Sequence, residues 1–135
     1  MLKLPASTKL LGTCIGPADV CKTPSPAGPV PTPSVNVGML SSTILTVAKV
    51  LIGMKETVVL GSQIVPSKGD EPGTLLGVVS NMVMGPVRFQ TYSSKVYAQG
   101  RPMVFHTAVT LHNGTVANTI GSQTMASQFK VLISR

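Results

Sequence analysis

Two cysteines and two histidines are the side chains with the clearest capacity for chemistry in this sequence. Cys14, Cys21, His106 and His112 are its only residues of these types, and in type they match the ligand set of a tetrahedral zinc site. Their spacing is not that of a zinc finger. His106 and His112 would lie about 20 Å apart along a straight strand, so sharing a metal requires a bend that residues 107–111 do not demand. The alternative is two buried thiols and two surface histidines.

Motifs that would support catalysis are scarce. The sequence has no Gly-x-Ser-x-Gly nucleophile elbow, no P-loop and no dinucleotide-binding fingerprint. The adjacent acids Asp70 and Glu71 would point in opposite directions in an extended chain, so they form a poor acid–base pair and are interpreted as a solvated turn. These observations predict that the protein is not an enzyme and has no catalytic or cofactor-binding residues.

Charge and hydropathy exclude several classes of partner. The 135 residues are 43% hydrophobic and only 11% charged, which is too apolar for a disordered chain. The formal net charge is +7, but the basic residues are scattered singly, so nucleic acid is not expected as a partner. No apolar run reaches the ~18 residues of a membrane span, and no signal peptide is visible. Synthesis in the cytoplasm, without stable membrane insertion, is therefore expected.

The distribution of proline, glycine and β-branched residues predicts an all-β fold. Prolines fix an extended, non-helical backbone through residues 16–38. Residues 39–66 are rich in valine and isoleucine and favour strands, although a helix over Met39 to Leu51 is the main alternative. A weak repeat, in which residues 49–59 and 95–105 each read as strand, glycine turn and strand, supports a fold of similar hairpins.

Several blocks of the sequence occur in the order typical of a known family. They are Asp19-Val20-Cys21-Lys22-Thr23-Pro24, a proline run ending at Asn36, Ser67-Lys68-Gly69-Asp70-Glu71, Gly77-Val78-Val79-Ser80, Phe89 with Tyr92-Ser93 and Val96, and His106 with His112-Asn113. Together they resemble the PAAR-like toxin-delivery family over about residues 18–113. The Tyr-Pro that usually precedes the asparagine is here Ser34-Val35.

The resemblance implies a small cone of short β-hairpins, with room for one short helix. One PAAR-like domain is expected over residues 1–135, with 114–135 as a C-terminal extension and no toxin domain. Such a protein caps and sharpens the trimeric β-helical (VgrG-like) spike of a type VI secretion or related contractile injection system. With one tip per trimer, it aids membrane puncture and carries effector cargo. It is assembled in the bacterial cytoplasm and exported by injection. The alternative is a free-standing binding, adaptor or immunity-like protein that is not injected.

The resemblance also implies a structural zinc ion near the tip, because PAAR proteins hold zinc through histidine and cysteine. The expected ligands are Cys21, His106 and His112, with Cys14 as the fourth.

The aliphatic residues within 39–66 are expected to meet the spike. A small cone cannot bury them all, and an exposed apolar base marks an interface.

Overall fold

Turns rich in proline and glycine divide the chain into short strands. A computed structural model describes residues 3–135, which contain thirteen strands and one 3₁₀ turn. The strands are β1 (Lys3–Pro5), β2 (Thr13–Thr23), β3 (Val30–Met39), β4 (Thr43–Ile44), β5 (Val47–Ile52), β6 (Lys55–Thr57), β7 (Gln63–Ile64), β8 (Val87–Phe89), β9 (Tyr97–Ala98), β10 (Arg101–Pro102), β11 (Val109–His112), β12 (Thr119–Met125) and β13 (Leu132–Ser134). The prediction of an all-β fold is confirmed. Residues 1 and 2, where the predicted domain begins, lie outside the described residues.

The segment with the ambiguous pattern forms strands rather than a long helix. Between Met39 and Leu51 the helical part is the 3₁₀ turn Leu40–Ser42, and β4 and β5 follow it. Branching at Cβ in Thr43, Ile44 and Val47 favours this extended backbone. Across residues 3–135, no helix has the length and apolar character needed to cross a membrane.

The largest element of the fold is a seven-stranded antiparallel sheet in the order β3-β2-β12-β11-β8-β7-β4. Its longest ladder joins β2 to β3. Pro31 and Pro33 lie in β3 at the sheet edge, where a proline can sit without removing an inter-strand hydrogen bond. Strand β12 lies between β2 and β11, so the residues predicted to form a C-terminal extension supply a central strand.

A β-bulge in β2 decides which of its side chains face the interior. The pairing with β3 shifts between Gly16 and Asp19, which leaves one extra residue on β2. In a regular strand, even-numbered residues face one side and odd-numbered residues the other. Cys14 is buried before the bulge, and Asp19 and Cys21 are buried after it. The extra residue therefore brings an even-numbered side chain, Cys14, and the odd-numbered side chains Asp19 and Cys21 to the same face.

The two halves of the weak repeat contact each other. Strands β5 and β6 form one hairpin and β9 and β10 another, and an antiparallel bridge between Val59 and Met103 joins the residues that follow them. Val58 and Val104 enter one apolar cluster, whereas Val59 and Phe105 enter a second. Each half thus contributes adjacent residues to both clusters of the core.

The two ends of the described chain lie side by side. Strand β1 pairs antiparallel with β13, and Lys3 lies opposite Ser134. Beyond this ribbon, the Ala6 amide donates a 3.0 Å hydrogen bond to the Val131 carbonyl. The last residues therefore close the fold against its first strand.

Candidate functional site: a buried Asp–Cys–Asp centre

Two carboxylates and one thiol meet in the interior beside β2. Asp19 and Cys21 project inward from β2 after its bulge, and Asp70 comes from the loop after β7. One potential ligand atom from each residue lies within 4.8 Å of the other two. The Cys21 Sγ atom is 3.7 Å from Asp19 Oδ1 and 3.8 Å from Asp70 Oδ2. We call these three residues the Asp–Cys–Asp centre.

The loop that carries Asp70 is fixed to the edge of the sheet. Val37 and Lys68 exchange two backbone hydrogen bonds, of 2.6 and 2.8 Å, and the Met84 amide donates to both Asp70 carboxylate oxygens at 3.1 and 3.2 Å. The interpretation of Asp70 and Glu71 as a solvated turn is wrong for Asp70, which is fully buried, while Glu71 is exposed. Adjacent side chains point to opposite sides of the chain, so one faces the centre and the other faces solvent.

Two asparagine side chains hold the centre in place. Asn113, directly after β11, donates to Asp19 Oδ1 at 3.1 Å and to Cys21 Sγ at 3.4 Å. Asn118 donates to Asp19 Oδ1 and, at 2.8 Å, to the Val20 carbonyl. Its own carbonyl accepts from the Val79 amide at 2.9 Å. The donors facing Asp19 and Cys21 are thus neutral amides, which orient the carboxylate and the sulfur without neutralising charge.

Burial changes the acidity of the centre. Removal from water, followed by the neighbouring Asp19 carboxylate, raises the pKa of Asp70 to about 7. Burial and then the charges of Asp19 and Asp70 raise the pKa of the Cys21 thiol to about 12. Without a bound cation, Cys21 is therefore a thiol at neutral pH, and Asp70 takes up a proton more readily than an exposed carboxyl does.

A second polar network, formed by Asn36, Ser67, Thr110 and His112, lies next to the centre. His112 Nδ1 is 2.7 Å from Asn36 Oδ1, and Nε2 is 2.7 Å from the Thr110 hydroxyl. Asn36 directs its amide group to Ser67 Oγ at 2.9 Å, so its carbonyl oxygen accepts from His112 Nδ1–H and Nε2 accepts from Thr110. Burial lowers the pKa of His112 to about 4, although the charge of Asp19 partly opposes this shift.

A glycine backbone connects the two networks. The Gly85 carbonyl accepts a 2.6 Å hydrogen bond from Ser67 Oγ. The Gly85 amide donates a 2.9 Å hydrogen bond to Asn113 Oδ1. One rigid polar interior therefore extends from the His112 network to the Asp–Cys–Asp centre.

The four side chains predicted to bind zinc are not gathered at one point. Cys21 belongs to the centre, and both ring nitrogens of His112 are engaged in hydrogen bonds. Cys14 lies in an apolar cluster, where burial raises the pKa of its thiol to about 12. His106 is half-buried, next to a bend at Thr107, which has a φ of +74°. The required bend is thus present, but within residues 3–135 the group of three potential ligands that forms contains only Cys21 of the predicted set.

Sequence reasoning assigned no role to Asp19 and Asp70 as ligand candidates, although a signal for them was present. The blocks on which the family resemblance rests supply most residues of the two polar networks described above: Asp19, Cys21, Asn36, Ser67, Asp70, His112 and Asn113. The blocks lie far apart along the chain and meet at one buried place. Their joint occurrence could have indicated that these residues form a single unit.

Comparisons with known proteins place the chain in a family. The family model described as "Toxin PAAR-like domain" matches residues 12–121. The chain is 34% identical over 102 residues to DNase toxin Tse7 of Pseudomonas aeruginosa, a match that covers 70% of this chain and 26% of that protein. No solved structure matches the chain.

The comparisons correct one prediction. The protein was expected not to be an enzyme, because the sequence lacks known catalytic motifs. That prediction is wrong in light of a family described as a toxin domain and a relative named as a DNase toxin. The chain spans about a quarter of the length of that relative.

Proposed function

Because the chain belongs to the toxin PAAR-like domain family, we propose that it forms the tip of a trimeric spike in a type VI secretion or related contractile injection system and delivers a toxin from there. The family match across residues 12–121 carries this proposal. In this function the protein is made and assembled in the bacterial cytoplasm and leaves it when the system contracts. Short strands, tight turns and a hydrogen-bonded polar interior suit a part that is pushed against a barrier.

The surface around the edge strand β4 is the part of the protein that best suits a spike partner. Part of the aliphatic segment 39–66 is buried in the core, namely Leu40, Val47, Ile52, Val58, Val59 and Ile64. Three apolar side chains on or beside β4 are between 41% and 58% exposed, namely Ile44, Leu45 and Val65. An apolar patch at a sheet edge offers both side-chain area and backbone groups for pairing.

A charge placed on this surface is expected to break the complex. Ile44→Asp should weaken association with the cognate trimeric spike at least tenfold, because it buries a carboxylate in an apolar interface. Ile120→Asp is the matched control, since Ile120 is also an exposed strand residue, at 61%, but lies on β12. Sedimentation and titration calorimetry would measure one chain per trimer for the native protein. No association at micromolar concentration, or equal weakening by both variants, would refute the proposal and favour a free-standing adaptor.

The nature of the relative suggests the class of toxin. DNase toxin Tse7 shares the matched region, and we propose that this domain serves a toxin that degrades DNA. Bacteria attacked by a strain with the native gene should lose intact chromosomal DNA, and bacteria attacked by the Ile44→Asp strain should retain it. Intact DNA in both cases would contradict this toxin class while leaving spike association to be judged by the binding experiment.

A further inference from the structure

We propose that Asp19, Cys21 and Asp70 bind one zinc-type divalent cation, so that Cys21 is joined by two carboxylates and not by Cys14 and the two histidines. The inference does not depend on the spike-tip proposal, because it rests on the geometry of the interior.

The spacing of the three side chains suits direct coordination. Two ligand bonds of about 2.0–2.3 Å at a tetrahedral angle separate a sulfur from an oxygen by roughly 3.5 Å. The observed separations from Cys21 Sγ are 3.7 Å to Asp19 and 3.8 Å to Asp70. Small movements of these side chains would therefore bring three of the four ligands of a tetrahedral site to bonding distance from one cation.

One atom of the centre lacks a hydrogen-bond partner. Asp19 is fully buried, and its Oδ2 has no partner among residues 3–135. A buried carboxylate oxygen without a donor is costly. The Asp19 oxygen nearest Cys21 Sγ is Oδ1. A cation bound beside it would also satisfy Oδ2 if the carboxylate turned or bound through both oxygens, and it would offset the charge of Asp19 and Asp70.

The surroundings resemble the outer shell of a metal site. The amide groups of Asn113 and Asn118 are directed to Asp19 Oδ1, and Asn113 also reaches Cys21 Sγ. Donors of this kind orient ligands and stabilise a thiolate. The chain also packs closely against the Cys21 side chain, since a Cβ atom at Gly73 would lie 2.2 Å from Cys21 Cβ and 3.4 Å from its sulfur. A thiolate ligand favours zinc or cobalt over magnesium or calcium.

Cobalt spectroscopy tests the assignment directly. Protein purified without a histidine tag and stripped with chelator should bind one Co²⁺ per chain and show a near-ultraviolet thiolate-to-cobalt charge-transfer band. Cys21→Ser should abolish the band, whereas Cys14→Ser should retain it, because Cys14 lies in the apolar cluster. His106→Gln and His112→Gln should also retain it. Circular dichroism would establish that each variant is folded.

Metal content and melting supply a second readout that does not depend on the thiolate. The native protein should contain about one zinc per chain and melt several degrees lower in chelator, because a ligand that binds only the folded state stabilises it. Asp70→Asn should lower the zinc content and weaken the response to chelator. Less than about a fifth of a zinc per chain, with melting unchanged by chelator, would overturn the proposal and leave a proton shared by the two carboxyls. Loss of the band in Cys14→Ser or in either histidine variant would overturn it in favour of the Cys and His ligand set.

Discussion

Gly69→Ala is expected to lower the free energy of unfolding by about 4 kcal/mol. Gly69 has a φ of +115°, and a Cβ atom there would lie 1.9 Å from the Val35 carbonyl oxygen. An unfavourable backbone conformation costs about 1–2 kcal/mol, and displacing the packed strand about 1–3 kcal/mol more. Strand β3 and the loop that carries Asp70 would have to move apart, so binding of the proposed cation should weaken together with stability. Urea unfolding and zinc content would measure both effects.

Gly28→Ala separates the two contributions. Gly28 has a similar φ of +106°, but a Cβ atom there would meet nothing within 4 Å. Only the conformational cost remains, so a loss of about 1–2 kcal/mol and normal zinc content are expected. Equal losses in the two variants would show that the loop does not need its close contact with β3.

His112 is expected to make the protein less stable as the pH falls below neutrality. Its pKa is about 4 in the folded protein and has an ordinary value of 6.5, so between these values the unfolded chain binds more protons. Stability therefore rises with pH in this window and is fully present above pH 6.5. The contribution of His112 to the free energy of unfolding should be lower at pH 4 than at neutral pH by roughly 3 kcal/mol.

The comparison of the native protein with His112→Gln isolates this contribution. Both proteins would be unfolded with urea in chelator between pH 7 and pH 4. Asp70 titrates in both, so its opposite dependence cancels in the difference between them. The native protein should lose more stability than the variant as the pH falls. Parallel curves for the two proteins would contradict a neutral, buried His112.

Local patterns were sufficient to predict the class of fold. Prolines exclude helices, β-branched residues favour strands, and the repeat corresponds to two hairpins that contact each other. The order of strands could not be predicted from such patterns, because pairing depends on residues distant in the chain. Strand β12 shows this most clearly, since it follows the last motif, which ends at Asn113, and still lies between β2 and β11 inside the sheet.

Residue type alone indicated one member of the candidate site, Cys21, and not its two carboxylates. Cysteine and histidine were selected as ligands, but His112 uses both ring nitrogens in hydrogen bonds and Cys14 is packed among apolar side chains. Regular alternation would also place Cys14 and Cys21 on opposite faces of β2, and the bulge reverses that expectation. The family motifs contained the better signal, because the residues that recur together are the ones that meet in the interior.

The antiparallel ribbon of β1 and β13 resists mechanical force less well in one direction than in another. Lys3 and Ser134 are paired at one end of the ribbon, and Pro5 and Leu132 are paired at the other. A force that pulls Lys3 and Ser134 apart would break the hydrogen bonds of the ribbon one pair at a time. A force along the strands would load all of these hydrogen bonds together in shear. A chain drawn through a narrow opening by either end would therefore begin to unravel at this ribbon, well before the seven-stranded sheet yields.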